Sequence, residues 1–108
     1  MNQQPPEPQP LQQQQPASFE DFEASARAQG FDEVIVREWA PGQVLESHRH
    51  PFIVSAWVVR GELALTENNG TRLLHAGDSF QLEREAQHAE TYGSEGATFW
   101  VARKHAPA

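Results

Sequence analysis

The sequence predicts an all-β domain, a small sandwich or barrel, preceded by one short helix. Three observations predict it. After Gly30, short segments rich in Val, Ile, Thr, Phe and Trp recur at close spacing. Turn-forming clusters separate them: Pro41-Gly42, Arg60-Gly61, Asn68-Asn69-Gly70, Gly77-Asp78 and Gly93-Ser94-Glu95-Gly96. Helical periodicity is confined to a stretch before Gly30, and no internal repeat is present.

In chain order, residues 1–16 hold five of the eight prolines and seven glutamines, with only Met1 and Leu11 apolar. Such a segment buries too little surface to offset its ordering entropy, and it is expected to be a disordered Pro/Gln-rich tail. A docking peptide for a proline-reading domain is the functional alternative, but no sharp recognition pattern accompanies it. The folded domain is then expected over residues 17–105. Its helix is predicted over 18–29. Ser18 is a good N-cap, Glu20, Asp21 and Glu23 load the first turn with negative charge, and Gly30 is a good stop. Phe19, Phe22 and Ala26 give the helix one apolar face, which packs outside whatever follows. Strands are predicted over 33–39, 52–59, 62–66, 72–75, 79–82, 88–92 and 97–103. Asn69-Gly70 suits a tight hairpin because both residues tolerate positive φ. In the 52–59 segment both alternating faces are apolar, so it is expected to be buried on both sides.

Composition excludes several functions. With no cysteine, disulfides, thiolate metal sites and cysteine nucleophiles are ruled out. A net charge of −7, from 8 basic and 15 acidic residues, argues against nucleic acid as a partner, since that binding runs on Lys and Arg facing phosphate. No apolar run approaches the ~18 residues of a membrane span, and residues 1–16 do not resemble a secretory signal, so no membrane is expected and the expected location is cytoplasmic. Phosphate loops, Gly-x-Ser-x-Gly elbows and zinc-ribbon spacings are absent as recognisable patterns.

Histidines carry the chemistry that remains. His48 and His50 stand two apart, and on a strand both imidazoles would project to one face, a spacing that suits two ligands on one metal ion. His88, about forty residues on at the head of another strand, is the third candidate, which only a folded barrel could bring to the pair. His-x-His pairs also arise by chance on surfaces, so the pair alone does not decide between ligand and bystander. His75 and His105 are expected to be surface or turn residues, and Asp78 a turn residue.

Residues 42–61, GQVLESHRHPFIVSAWVVRG, and 77–92, GDSFQLEREAQHAETY, resemble the two cupin motifs in order and spacing. Gly42, His48, His50 and Gly61 fall in register with the first; Gly77 and His88 with the second, after a spacer of fifteen residues. The resemblance spans roughly residues 31–104. It implies a small double-stranded β-helix, a cupin or jelly-roll-like barrel, with His48, His50 and His88 as ligands of a divalent transition metal inside it. Imidazole leaves the choice among Fe, Zn, Ni and Mn open. It also implies a possible homodimer, from which a core this small would gain.

The sequence departs from the motifs at informative places. The glutamate of the first motif falls on Val54; Glu83 and Glu85 replace the Pro and Gly of the second, and Tyr92 its asparagine. Three neutral imidazoles leave a divalent charge uncompensated, which favours an anionic ligand, and leave coordination positions open. Glu90 and Tyr92 share strand parity with His88 and are candidates for catalytic roles beside the ligands, as proton donor or acceptor. Glu46 shares parity with His48, and either faces the cavity or lies in a preceding loop facing water. Phe52, Val54 and Ala56 are candidate cavity-lining residues for a small-molecule ligand with an apolar part. Trp39, Trp57 and Trp100 are expected in the core or at a dimer interface. Two functional readings follow: an Fe(II)-dependent dioxygenase acting on a small organic anion, as in some three-histidine cupins, or a non-catalytic module that binds or senses a metal or metabolite. An empty, vestigial site is the third and weakest.

Overall fold

The computed structural model describes residues 14–105. The tail expected over 1–16 therefore lies almost wholly outside the described residues. Helix α1 (Phe19–Ala28) is followed by six strands: β1 (Glu33–Trp39), β2 (Val44–His48), β3 (Ile53–Glu67), β4 (Gly70–His75), β5 (Ser79–Leu82) and β6 (His88–Lys104). Among the described residues, no helix is long and apolar enough to cross a membrane.

The helix forms where its end signals lie. Ser18 Oγ accepts from the Asp21 N–H at 3.0 Å, satisfying an otherwise free donor of the first turn. At the other end Gly30, at φ +94°, and Phe31 return their N–H groups to the carbonyls of Arg27 and Ala26. The buried face is Phe22 and Ala26, which pack with Val34, Trp57 and Ala102 on the outside of the barrel, as predicted.

All strand pairings are antiparallel, in the order β1-β6-β3-β4, with β2 added to β6 and β5 to β3. The two long strands organise the barrel, and here the sequence reading needed correction. Arg60-Gly61 and Gly93-Ser94-Glu95-Gly96 do not reverse the chain. They bend it within β3 and β6, so that segments predicted as four strands form two. Each bend is a bulge: pairing shifts register between Val58 and Arg60 and again between Gly61 and Leu63. Inward parity flips across it. Val54, Ala56 and Val58 are buried before the bend of β3, then Leu63 and Leu65; His88, Glu90 and Tyr92 are buried in β6, then Ala97, Phe99 and Val101. Glycine is required at the fold line. A Cβ on Gly61 (φ +80°) would lie 2.0 Å from the Gly96 carbonyl oxygen, and one on Gly96 (φ +71°) 2.2 Å from that of Trp39.

Strand β2 was not among the predicted strands. It is short and mostly exposed, so it lacks the clean alternation that marks a half-buried strand. The hairpin at residues 67–70 forms with Glu67 opposite Gly70, and the glycine takes the positive φ, +125°. Trp57 and Trp100 belong to the layer beneath α1, and Trp39 packs against the inner cluster.

Candidate metal centre

Three elements bring the histidines together. His48 ends β2, His88 begins β6, and the two are direct partners across that ladder. His50 lies just beyond β2, so the pair shares a side through the turn into Pro51 rather than through one strand. Ring centroids are 4.3 Å apart for His48 and His88, 4.8 Å for His48 and His50, and 5.2 Å for His50 and His88. One ring nitrogen from each lies within 4.8 Å of the others.

The hydrogen bonds set which nitrogens are available. His48 Nδ1 lies 2.7 Å from the Glu46 carbonyl oxygen and His88 Nδ1 3.0 Å from that of Ala86. A carbonyl only accepts, so both Nδ1 atoms carry the proton and, in the neutral ring, Nε2 keeps its lone pair. His88 Nε2 is buried and makes no hydrogen bond among the described residues. A buried nitrogen held in this tautomer without an aligned hydrogen bond fits a metal ligand. His50 is stacked on Phe52, with centroids 4.7 Å apart and planes 9° from parallel.

A loop from the second half of the chain supports the pair. Glu85 donates its backbone N–H to the His50 carbonyl at 2.7 Å and adopts φ +63°, a left-handed conformation, at the position where the resembled motif carries glycine. The departure in side chain therefore leaves a glycine-like backbone in place.

Glu90 and Tyr92 both point inward. Glu90 Oε2 lies 3.3 Å from His88 Nε2, without the alignment of a hydrogen bond, and 3.8 Å from His48 Nε2. The Tyr92 hydroxyl donates to Glu90 Oε1, and its ring stacks on Trp39 at 5.2 Å. Burial alone would raise the Glu90 pKa, but His88 and the Tyr92 hydroxyl hold it below its ordinary value. Burial opposes charge on His88 too, yet the Glu90 carboxylate and the Ala86 carbonyl raise its pKa. His50 is lowered, first by burial and then by the neighbouring histidines. Burial, then the Glu90 charge, pushes the Tyr92 hydroxyl far above its usual range, so it stays protonated and donates.

The remaining candidates separate. Phe52 and Val54 line the cavity beside the histidines, with Phe80, Leu82 and Phe99. Ala56 is fully buried in the core and does not form its wall. Glu46 is exposed: the bulge between Leu45 and His48 breaks the parity that linked it to His48, and Leu45 packs inward instead. His75 is exposed near Glu62 and Asp78, and Asp78 accepts the His75 N–H in a turn. His105 pairs with Glu33 at 2.6 Å. Sequence reasoning missed Arg37 and Arg103, both on the cavity. Their alternation with Ile35 and Trp39, and with Phe99 and Val101, was the available signal.

A family profile described as "Cupin domain" matches residues 35–102. The chain belongs to the cupin family. Among solved structures, this cupin is similar to a protein of unknown function from Rhizobium leguminosarum, at 18% identity and TM-score 0.62, covering 66% of this chain and 67% of that one. It is similar to a conserved protein with a double-stranded β-helix domain from Klebsiella pneumoniae, at 28% identity and TM-score 0.57, covering 66% and 64%. A structure of the DMSP lyases RdDddP and RnDddQII is similar at 25% identity and TM-score 0.61, covering 66% of this chain but 37% of that one. No curated protein matches it. The family, the antiparallel barrel and the three-histidine group agree with one another.

Proposed function

We propose that this cupin holds a divalent transition metal on His48, His50 and His88 and acts as an Fe(II)-dependent dioxygenase on a small organic anion. The observation that supports it most is the convergence of three imidazoles, with the buried His88 Nε2 free of any aligned hydrogen bond and Val54 where the motif's carboxylate would stand. Iron bound there would supply Lewis acidity and one-electron chemistry toward oxygen, with positions open to substrate.

The chain's own residues do the rest. Neutral imidazoles leave the metal's charge to attract an anion. Glu90 Oε2, beside His48 and His88, is placed to accept a proton from an incoming acid, while Tyr92 holds its other oxygen. Phe52, Val54, Phe80, Leu82 and Phe99 keep the wall dry and fit the apolar part of the ligand. The cavity measures about 50 Å³. At roughly 10–15 Å³ per water position its enclosed part takes a few heavy atoms of a ligand, and its mouth is open to solvent.

Likeness to a structure of DMSP lyases, of which this chain covers 37%, supports a second reading, a lyase. Elemental mass spectrometry on protein purified without a tag or chelator, beside a His48→Ala/His88→Ala variant, tests the site. About one equivalent of iron in the parent and none in the variant is expected. An oxygen electrode with small thiols, diketones and catechols then tests the reaction. Iron-loaded protein that consumes no oxygen with any of them would sink the dioxygenase and leave the lyase or a binding module. Absence of metal after reconstitution would sink the metal reading itself.

A further inference from the structure

The cavity beside the histidines is lined by Arg37, whose charge has no direct ion-pair partner among the described residues; the Glu90 carboxylate on the same cavity is taken up by Tyr92 and the histidines. On β1, Ile35 and Trp39 pack against the inner cluster, and Arg37 lies between them at the same parity, lining the cavity. Arg37 is half-buried, and holding an arginine against the apolar lining of a barrel is costly unless water or an anion meets its charge. Acids are plentiful in this chain, 15 against 8 basic residues. The other arginine on the cavity, Arg103, has Glu33 at 3.5 Å. Arg37 forms no ion pair or hydrogen bond among the described residues. Its guanidinium instead lies over the Trp39 ring, 4.4 Å from the centroid.

That stacking is informative. Trp39 takes the face of the guanidinium and leaves the N–H edge, the part that forks onto a carboxylate. Trp39 is itself stacked on Tyr92, which is bonded to Glu90, which faces His48 and His88. A continuous set of contacts therefore holds Arg37 relative to the three histidines.

We infer that Arg37 is the anion-recognising residue of this site, and that the ligand is a small organic acid with two functional ends. Its carboxylate pairs with the edge of Arg37, and a second group seeks the metal. The inference rests on the metal reading proposed above and names the ligand class for it. The two fail in distinguishable ways.

The test uses full-length protein loaded with cobalt and two probes of similar size, mercaptoacetate and 2-mercaptoethanol. Both offer a thiol to the metal; only the first offers a carboxylate. Binding is read from the thiolate-to-cobalt absorption band. In the parent, mercaptoacetate binds about tenfold tighter or better. Arg37→Gln removes that preference while cobalt stoichiometry and mercaptoethanol affinity stay as in the parent. Arg60→Gln, which removes the same charge from an exposed position, keeps it. Arg37→Lys retains the charge without the fork and keeps part of it, which decides the matter if Arg37→Gln folds poorly. Full cobalt binding with no preference in the parent, or an undiminished preference in the Arg37 variants, overturns the role of Arg37 alone. Failure of the parent to bind cobalt overturns the metal site and this inference together.

Discussion

The same two strands feed two apolar layers of opposite character. On the outer side, Trp57 of β3 and Ala102 of β6 pack with Val34 and with Phe22 and Ala26 of the helix. Phe19, Phe22 and Trp100 sit around one another at centroid distances of 6.1–6.4 Å. On the inner side, the apolar cluster of Val54, Phe80, Leu82 and Phe99 adjoins buried His88 and Glu90. Among the described residues, three buried side-chain nitrogens without hydrogen bonds belong to Trp39, His88 and Arg103, all on the inner side. Natural cores leave few such groups. The outer layer is complete as it stands and serves stability. The inner one keeps polar groups among its apolar side chains, the arrangement expected where such groups serve a ligand.

The largest effects should separate the two layers cleanly. His48→Ala/His88→Ala is expected to lower metal affinity by more than about 100-fold, beyond the 10–100-fold typical of outer partners, with the far-ultraviolet signal of the barrel retained. Phe22→Ala does the reverse. It should cost about 3 kcal/mol of stability, a drop of roughly 12–24 °C in Tm for a domain of this size, with metal stoichiometry unchanged below the transition. Calorimetry and elemental analysis on both variants check this. Metal loss in Phe22→Ala at temperatures where it remains folded would show the layers to be coupled.

Glu90→Gln probes the inner layer more finely. Without metal, the raised pKa of His88 contributes stability below 6.5 that is lost as pH rises through the folded value. The lowered pKa of Glu90 contributes above 4.5 and is lost as pH falls through its folded value. The pair is therefore most useful to the metal-free protein between those limits. Metal requires His88 without its extra proton, so affinity declines as pH falls, beginning above 6.5. In Glu90→Gln the charge that raises His88 is gone and burial prevails. Affinity should fall about 10–100-fold at neutral pH, while its decline on acidification moves to lower pH. Titrations of metal across pH measure both, and an unmoved acid limb would remove Glu90 from the site.

How much of this could be read beforehand depends on how local the signal is. The helix was legible because Ser18 and Gly30 act within a turn of themselves. His88, Glu90 and Tyr92 were legible as an inward row because β6 is regular there. Parity failed at Glu46, where a bulge on β2 intervenes. It failed again at Arg60-Gly61, because glycine marks a turn and a bulge alike and only the opposing Gly96 backbone decides between them. Arg37 went unread because a lone charge between apolar neighbours looks the same whether it faces solvent or a cavity. Its unpaired state exists only in three dimensions.

Glu85 offers the smallest and most specific test of that local-versus-distant division. A non-glycine residue at φ +63° costs about 1 kcal/mol relative to glycine. The Glu85 side chain is exposed, and no hydrogen bond or ion pair of it offsets that cost among the described residues. What the position gives the site is its backbone N–H, held 2.7 Å from the His50 carbonyl, and glycine supplies the same group. Glu85→Gly should therefore raise the urea midpoint at an unchanged slope, by about 1 kcal/mol, with metal affinity the same as in the parent. A loss of stability would mean that the carboxylate carries an interaction worth more than the strain. A gain with weakened metal binding would mean that the strained turn holds His50 in place, and the departure from the motif would then belong to the inner layer and not to the scaffold.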